Sequence, residues 1–289
     1  MSVESQEGSR EVLKGIAIVG IGLIGGSVGL AARSRKLSNK VIGIGRSREK
    51  LAHARQLGAI DEFSLDFACV ADCEVIVICT PVGRIAEDIR ACANCASPGA
   101  LIVDAGSTKA ELVGSFESVP LEGPVFVGCH PLAGSQKSGV IAARADLFEN
   151  RLTIITPSSK TSTHYVEKAK AFWRSLGSKV VEMDSLEHDH VLAMTSHLPH
   201  LLASAMAMST PKQWLEFTAG GWRDHTRIAA GEPDNWTQIF LANREMLLKS
   251  LSVAEKNITD LRTAIQTRDA KALEQLLIKG KEHRDALGD

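Results

Sequence analysis

The residues best equipped for chemistry fall into a few short clusters. The first is Gly20-Ile21-Gly22-Leu23-Ile24-Gly25, directly after the apolar run Ile16-Ala17-Ile18-Val19. Gly20 permits a tight turn, Gly22 lets backbone approach a diphosphate, and Gly25 lets a helix pack close to a sheet. The N–H groups of the opening turn, around Leu23 and Ile24, then face an anion at the positive end of that helix. This is the arrangement that binds a dinucleotide. Its strand–motif–helix context separates it from an ordinary glycine-rich turn.

The second cluster, Gly43-Ile44-Gly45-Arg46-Ser47-Arg48, decides which dinucleotide. An acidic side chain about 20 residues beyond the glycines would bind a ribose 2′-hydroxyl. No carboxylate stands here before Glu49. Arg46 and Arg48 can instead pair with a 2′-phosphate, and Ser47 can donate to it. The expected cofactor is NADP, with NAD as the alternative; solvated surface arginines are the plainer reading. Thr80 and Pro81 in Cys79-Thr80-Pro81-Val82, and Ser107 in Asp104-Ala105-Gly106-Ser107-Thr108-Lys109, end two further strand patterns, where open α/β sheets bind ligands. Thr80-Pro81 is assigned to the cofactor, although turn chemistry alone accounts for it.

Three more clusters carry a specific signal. They are Gly128-Cys129-His130-Pro131-Leu132-Ala133-Gly134-Ser135, Ser196-His197-Leu198-Pro199-His200, and Gly220-Gly221-Trp222-Arg223-Asp224-His225-Thr226-Arg227-Ile228 with Pro233 and Trp236 beyond. A histidine at a strand's carboxyl end, stiffened by Pro131, stands well beside a bound nicotinamide. A lone histidine is more often structural. His197 and His200 share one helix face; a metal held with His130 would be one use of them, but hydride transfer needs no metal, and none is expected. His197 reads as a satisfied core histidine and His225 as a surface one. Asp224 has a bland role as partner of Arg223 or Arg227, and Trp236 as a core aromatic.

These clusters need elements to position them. Apolar, β-branched runs recur at 16–19, 41–44, 75–78, 101–103, 125–127, 152–155 and 180–181. They are continuous rather than alternating, as strands buried on both faces of a parallel sheet are. Segments such as 49–57 and 164–176 are long enough for helices between them, which predicts a doubly wound α/β domain. After about Asp184 no strand pattern follows. Residues 187–208 are apolar nearly all round, with a kink expected at Pro199. From Trp236, Phe240, Met246, Leu247, Leu251, Ala254, Ile258, Leu261 and Ile265 mark one face of a long helix, and Leu273, Leu276 and Leu277 a last one. The expected plan is a dinucleotide-binding domain over 1–184, with a polar tail at 1–12, and an all-helical domain over 185–289.

Composition limits the partners. Over 289 residues the net charge is −1, which gives no electrostatic reason for nucleic acid or an anionic membrane to bind. The uncharged stretch 15–32 imitates a membrane span, but its glycines belong to the dinucleotide motif. The start, with Glu4, Glu7 and Glu11, is not a secretory signal. Cys92 and Cys95 form a C-x-x-C without a second pair at zinc spacing, so the six cysteines read as apolar residues in a reducing cytoplasm.

In combination, G-x-H-P-x-A-G at 128–134, S-H-L-P-H at 196–200 and G-G-x-x-D-x-T-R-I at 220–228 resemble the prephenate and arogenate dehydrogenases of tyrosine biosynthesis, over nearly the whole chain. That resemblance implies a nucleotide domain followed by a helical domain that forms a homodimer. It implies oxidative decarboxylation: hydride leaves C4 of a cyclohexadienol, CO2 leaves C1, and the ring becomes aromatic. Prephenate then gives 4-hydroxyphenylpyruvate, and arogenate gives tyrosine. It assigns His130 as the catalytic histidine that accepts the 4-hydroxyl hydrogen bond, and Ser107 as the serine that contacts that hydroxyl or orients the histidine. His200 is implied as a substrate-binding histidine and Arg227 as the carboxylate anchor, with Arg223, Asp224 and Trp236 shaping the pocket. Turnover is then expected to rise with pH as His130 deprotonates. After the A-G of the histidine motif, Ser135-Gln136 puts a neutral amide where many relatives carry a glutamate. Neither a fused chorismate mutase nor a regulatory domain is expected.

Two other readings stand beside this one. A β-hydroxyacid or pyrroline-carboxylate type reductase would place a lysine or another polar pair on the first long helix of the second half; no lysine lies between Val191 and Pro211. A non-enzymatic NADP-sensing module would need neither His130 nor Arg227.

Overall fold

The computed structural model describes residues 12–135 and 137–288. All of the expected polar tail but Val12 lies outside them. Eight strands make one sheet: β1 (Ile16–Val19), β2 (Val41–Ile44), β3 (Glu62–Ser64), β4 (Val75–Ile78), β5 (Leu101–Asp104), β6 (Val125–Pro131), β7 (Leu152–Thr156) and β8 (Lys179–Glu182). Their order is β3-β2-β1-β4-β5-β6-β7-β8. The order reverses between β1 and β4, and the crevice beyond such a reversal is where open α/β sheets take ligands.

The continuous apolar runs have a direct cause. Ile16 and Ile18 of β1 join the core on one face of the sheet, while Ala17 and Val19 join the core on the other. Helices α1 (Leu23–Ser34), α2 (Arg48–Gln56), α3 (Val82–Ala93), α4 (Ala110–Ser118) and α5 (Thr163–Ser175) cover the two faces. The uncharged stretch 15–32 is not one span but β1, the glycine turn and most of α1. Two features differ from the parallel pattern predicted. β3 is a short edge strand with half-exposed residues and no apolar run, so nothing in the sequence announced it. β7 is antiparallel to β6. Parallel neighbours need a helical crossover; among the described residues of 132–151 the only helical element is a 3-10 turn at Val140–Ala142, and the chain returns antiparallel.

After β8 every described element is helical: α6 (Ser185–Leu192), α7 (Leu198–Met208), α8 (Gly220–Thr226), α9 (Pro233–Ala242), α10 (Arg244–Gln266) and α11 (Ala270–Asp285). Asp184 caps α6, its carboxylate accepting from the N–H groups of Leu186 and Glu187. α6 and α7 are halves of one path joined by a π-turn at Ala193–His197. Pro199 has no N–H to close the turn from Thr195, and a π-turn absorbs that gap. The expected kink takes this form. The long helix expected from Trp236 is two helices broken at Asn243, whose buried side-chain amide bonds the Asp189 carbonyl (2.7 Å) and His197 Nδ1 (3.1 Å).

Candidate active site

The carboxyl ends of the central strands lie along one edge, tied in sequence. Gly20 N–H donates to Ile44 O, Cys79 N–H to Val19 O, and Ala105 N–H to Ile78 O. The glycine motif behaves as its spacing requires. Gly20 has φ +89°, and a side chain there would strike Cys79 O at 2.8 Å. A Cβ on Gly25 would come within 2.1 Å of Gly20 O. A Cβ on Gly22 would meet nothing within 4 Å, so the space before α1 is open. Gly22 precedes the first turn of α1, which begins at Leu23 and Ile24, and no side chain caps that turn. An open approach to unpaired helix-start N–H groups fits a dinucleotide diphosphate.

At the end of β2, Arg46 and Arg48 are exposed. Ser47 caps α2 by accepting from Lys50 N–H at 3.3 Å, which leaves its own hydroxyl hydrogen available. Arg48 reaches over the Phe63 ring at 5.9 Å. The Thr80 hydroxyl is engaged: it donates to Asp88 at 2.7 Å, and Asp88 also pairs with Arg84. Thr80 therefore steadies the start of α3, and Pro81 lies exposed ahead of that helix.

His130 is the penultimate residue of β6 and only 8% exposed. Its Nδ1 lies 2.9 Å from Nε2 of His188. His188 Nδ1 in turn lies 2.7 Å from Oδ1 of Asp189. Beneath them the wholly buried Lys109 is paired with Asp104, which also accepts from Gly106 N–H (2.8 Å) and Cys129 N–H (2.9 Å). Burial, reinforced by His188, Lys109 and His197, holds the His130 imidazolium well below the ordinary histidine range. His130 is thus neutral through physiological pH. The rise of turnover with pH expected from deprotonation of His130 therefore falls in acid solution. The Ser107 hydroxyl, half-buried beside this network, makes no hydrogen bond among the described residues. It is His188 that bonds the His130 ring.

The helical half carries the remaining residues singled out in the sequence. His200 is buried and stacked on Trp236, with ring centroids 3.6 Å apart and planes 17° from parallel. Its Nδ1 is sealed from solvent with no hydrogen-bond partner among the described residues. Burial lowers its pKa. Gly231 is required at this point, since a Cβ would lie 2.5 Å from Trp236 Nε1. His197 is the satisfied core histidine expected, buried against Asn243, its pKa pushed down by burial to about 4. Arg223, Asp224, His225 and Arg227 are exposed on and just after α8, and no ion pair joins Asp224 to either arginine. Ser135 is exposed, its hydroxyl accepting from Lys137 N–H at 3.0 Å. Gln136 lies outside the described residues. Cys92 of the C-x-x-C is buried, and burial pushes its thiol far up, away from thiolate chemistry.

Sequence reasoning missed His188, Asp189, Asn243 and the Asp104–Lys109 pair. The signal was present in Glu187-His188-Asp189-His190, a polar run at the head of an otherwise apolar helix.

Comparison with known proteins gives the family. Residues 28–182 match the family model "Prephenate dehydrogenase, nucleotide-binding domain", and residues 184–279 match "Prephenate dehydrogenase, dimerization domain". The chain is 36% identical to prephenate dehydrogenase of Bacillus subtilis over 94% of its length and 76% of that protein's. It is 32% identical to cyclohexadienyl dehydrogenase of Zymomonas mobilis, covering 96% and 97% of the two chains. Among solved structures, prephenate dehydrogenase from Aquifex aeolicus in complex with hydroxyphenyl propionate and NAD+ superposes with a TM-score of 0.89 at 33% identity, covering 96% of this chain and 99% of that one. Synechocystis arogenate dehydrogenase superposes at 0.80 with 27% identity, covering 94% and 99%. The chain belongs to the prephenate dehydrogenase family, whose reaction is oxidative decarboxylation of a cyclohexadienol with hydride transfer to a nicotinamide dinucleotide.

Proposed function

We propose that this protein is an NADP-preferring prephenate or arogenate dehydrogenase, in which His130 receives the 4-hydroxyl proton and Arg227 anchors a substrate carboxylate. The observation that carries the reading is the neutral, nearly buried imidazole at the carboxyl end of β6, whose Nε2 has no partner among the described residues. A neutral imidazole can accept a hydroxyl proton as hydride departs. When bound, the nicotinamide supplies the hydride acceptor. Ser107 completes the hydroxyl's surroundings, and His200, whose buried Nδ1 has no partner among the described residues, is the substrate-binding histidine. Trp236 fixes the His200 ring by stacking. Arg223, Asp224 and Ser135 shape the entrance.

Preference for NADP is supported by Arg46 and Arg48, exposed at the end of β2 with no carboxylate before Glu49. The division falls at Asp184, with the nucleotide unit before it and residues 185–289 forming the helical, dimer-forming unit. Six free thiols, several deeply buried, suit a reducing cytoplasm. The test follows NADPH or NADH fluorescence with prephenate and arogenate in turn. Turnover of either substrate, with kcat/KM higher for NADP, is the expected result. Inactivity with both substrates overturns the reaction assignment, and a preference for NAD overturns the cofactor assignment.

A further inference from the structure

The relay behind His130 has a chemical direction. Asp189 sits where a carboxylate can only accept: Oδ1 receives the N–H of Lys109 (2.8 Å) and Oδ2 the N–H of Ala110 (2.9 Å), at the start of α4. His188, wholly buried, meets the same Oδ1 through Nδ1 and must donate to it. A neutral His188 protonated on Nδ1 has a bare Nε2, which can only accept. His130 Nδ1 therefore donates to it, and the remaining His130 nitrogen, Nε2, carries a lone pair. Each hydrogen bond in the row sets the next.

We propose that His188 and Asp189 are a positioning pair that locks His130 in the Nδ1–H tautomer, with Nε2 bare toward the substrate hydroxyl. This rests on the dehydrogenase reading and deepens it. The opposite tautomer would present an N–H donor where an acceptor is needed. The proton accounting is closed. The substrate O–H bond breaks and its proton goes to Nε2; hydride leaves C4 and CO2 leaves C1 as in the family reaction; the proton returns to the ring oxygen as the ring becomes aromatic. While His130 is cationic, its Nδ1–H bond to His188 strengthens, and His188 in turn leans on Asp189. The surrounding groups are Lys109 paired with Asp104 beneath, and His197 with Asn243 on the far side. The pair sits on α6, in the helical half, while His130 sits on the sheet, so the active tautomer exists only when the two halves are packed together.

Two measurements test this on the NADP-bound protein. The first labels histidine with 15N and reads the tautomers of wild-type His130 and His188 by two-bond 1H–15N correlation, with His130→Asn and His188→Gln supplying assignments. Nδ1-protonated rings at both positions support the proposal, and Nε2-protonated His130 overturns it. The second is kinetic. His188→Phe removes the acceptor, and kcat should fall roughly 10²-fold, while substrate KM and cofactor affinity stay within about 3-fold. His188→Gln can place an amide oxygen near the lost Nε2 and should recover a substantial part of that fall. Unchanged kcat in His188→Phe, or equal losses in Phe and Gln, overturns the proposal. If His188→Phe does not fold, the wild-type tautomers decide alone. Wild-type inactivity with both substrates would instead remove the reading on which the relay rests, an outcome distinct from an active enzyme indifferent to His188.

Discussion

At the residue scale, the central question is how an imidazole stays ready to accept a proton. His130 lies among Lys109, His188 and His197, and burial lowers its pKa well below 6.5. A base with a depressed pKa is fully deprotonated above that value and is lost only as pH falls through it. The kcat/KM attributable to His130 should thus be level from pH 8 to 6.5 and decline only in more acidic solution, measured with the chemical step rate-limiting. A midpoint at or above 6.5 would contradict the burial argument. His130→Asn should reduce kcat roughly 10²-fold or more with the fold intact; near-normal turnover would remove the residue from the chemistry. Arg227 is exposed, and a carboxylate anchor acts alike in ground and transition states. Arg227→Ala should therefore raise substrate KM roughly 10- to 100-fold, the worth of a charge-assisted pair, with kcat little altered. An unchanged KM would rule out the anchor.

At the element scale, close approach of backbone explains why the site is glycine-rich and why two helices break. The start of α1 is pressed against the Gly20 turn, so Gly25→Ala would drive a methyl to 2.1 Å from a carbonyl oxygen that has no freedom to retreat. Loss of about 3 kcal/mol is expected, read as a lowered melting temperature together with weakened binding of the reduced dinucleotide in fluorescence titration. Wild-type stability and affinity would show that the turn is looser than its geometry. The breaks follow from polar bonding rather than periodicity. The run from Trp236 kept its apolar spacing through Asn243, so the sequence read as one helix. The break lies there because the Asn243 amide is drawn to Asp189 O and His197. Likewise, nothing in the run 152–155 indicated strand direction, which depends on the segment before it lacking a crossover helix.

At the scale of the whole molecule, the sheet carries the cofactor turn and His130, while the helical half carries His188, His200, Trp236 and Arg227. Large apolar side chains remain exposed on that half, among them Met208, Phe217, Leu241, Ile265, Leu277 and Ile278. Surface of this kind marks an interface, and the second family model describes a dimerization domain. Sedimentation should give twice the chain mass, and Leu277→Arg should shift it toward the monomer; a wild-type monomer at micromolar concentration would sink the dimer. What could be read from the chain alone was whatever is local: glycine spacing, apolar period, and motifs such as S-H-L-P-H, each confined to one element. Those sufficed for the fold class and for a nicotinamide-dinucleotide domain. What only folding decided was non-local: which nitrogen of His130 meets a partner, and which residue that partner is. His188 lies 58 residues from His130, and no short-range pattern can pair groups whose meeting depends on how a helix docks against a sheet.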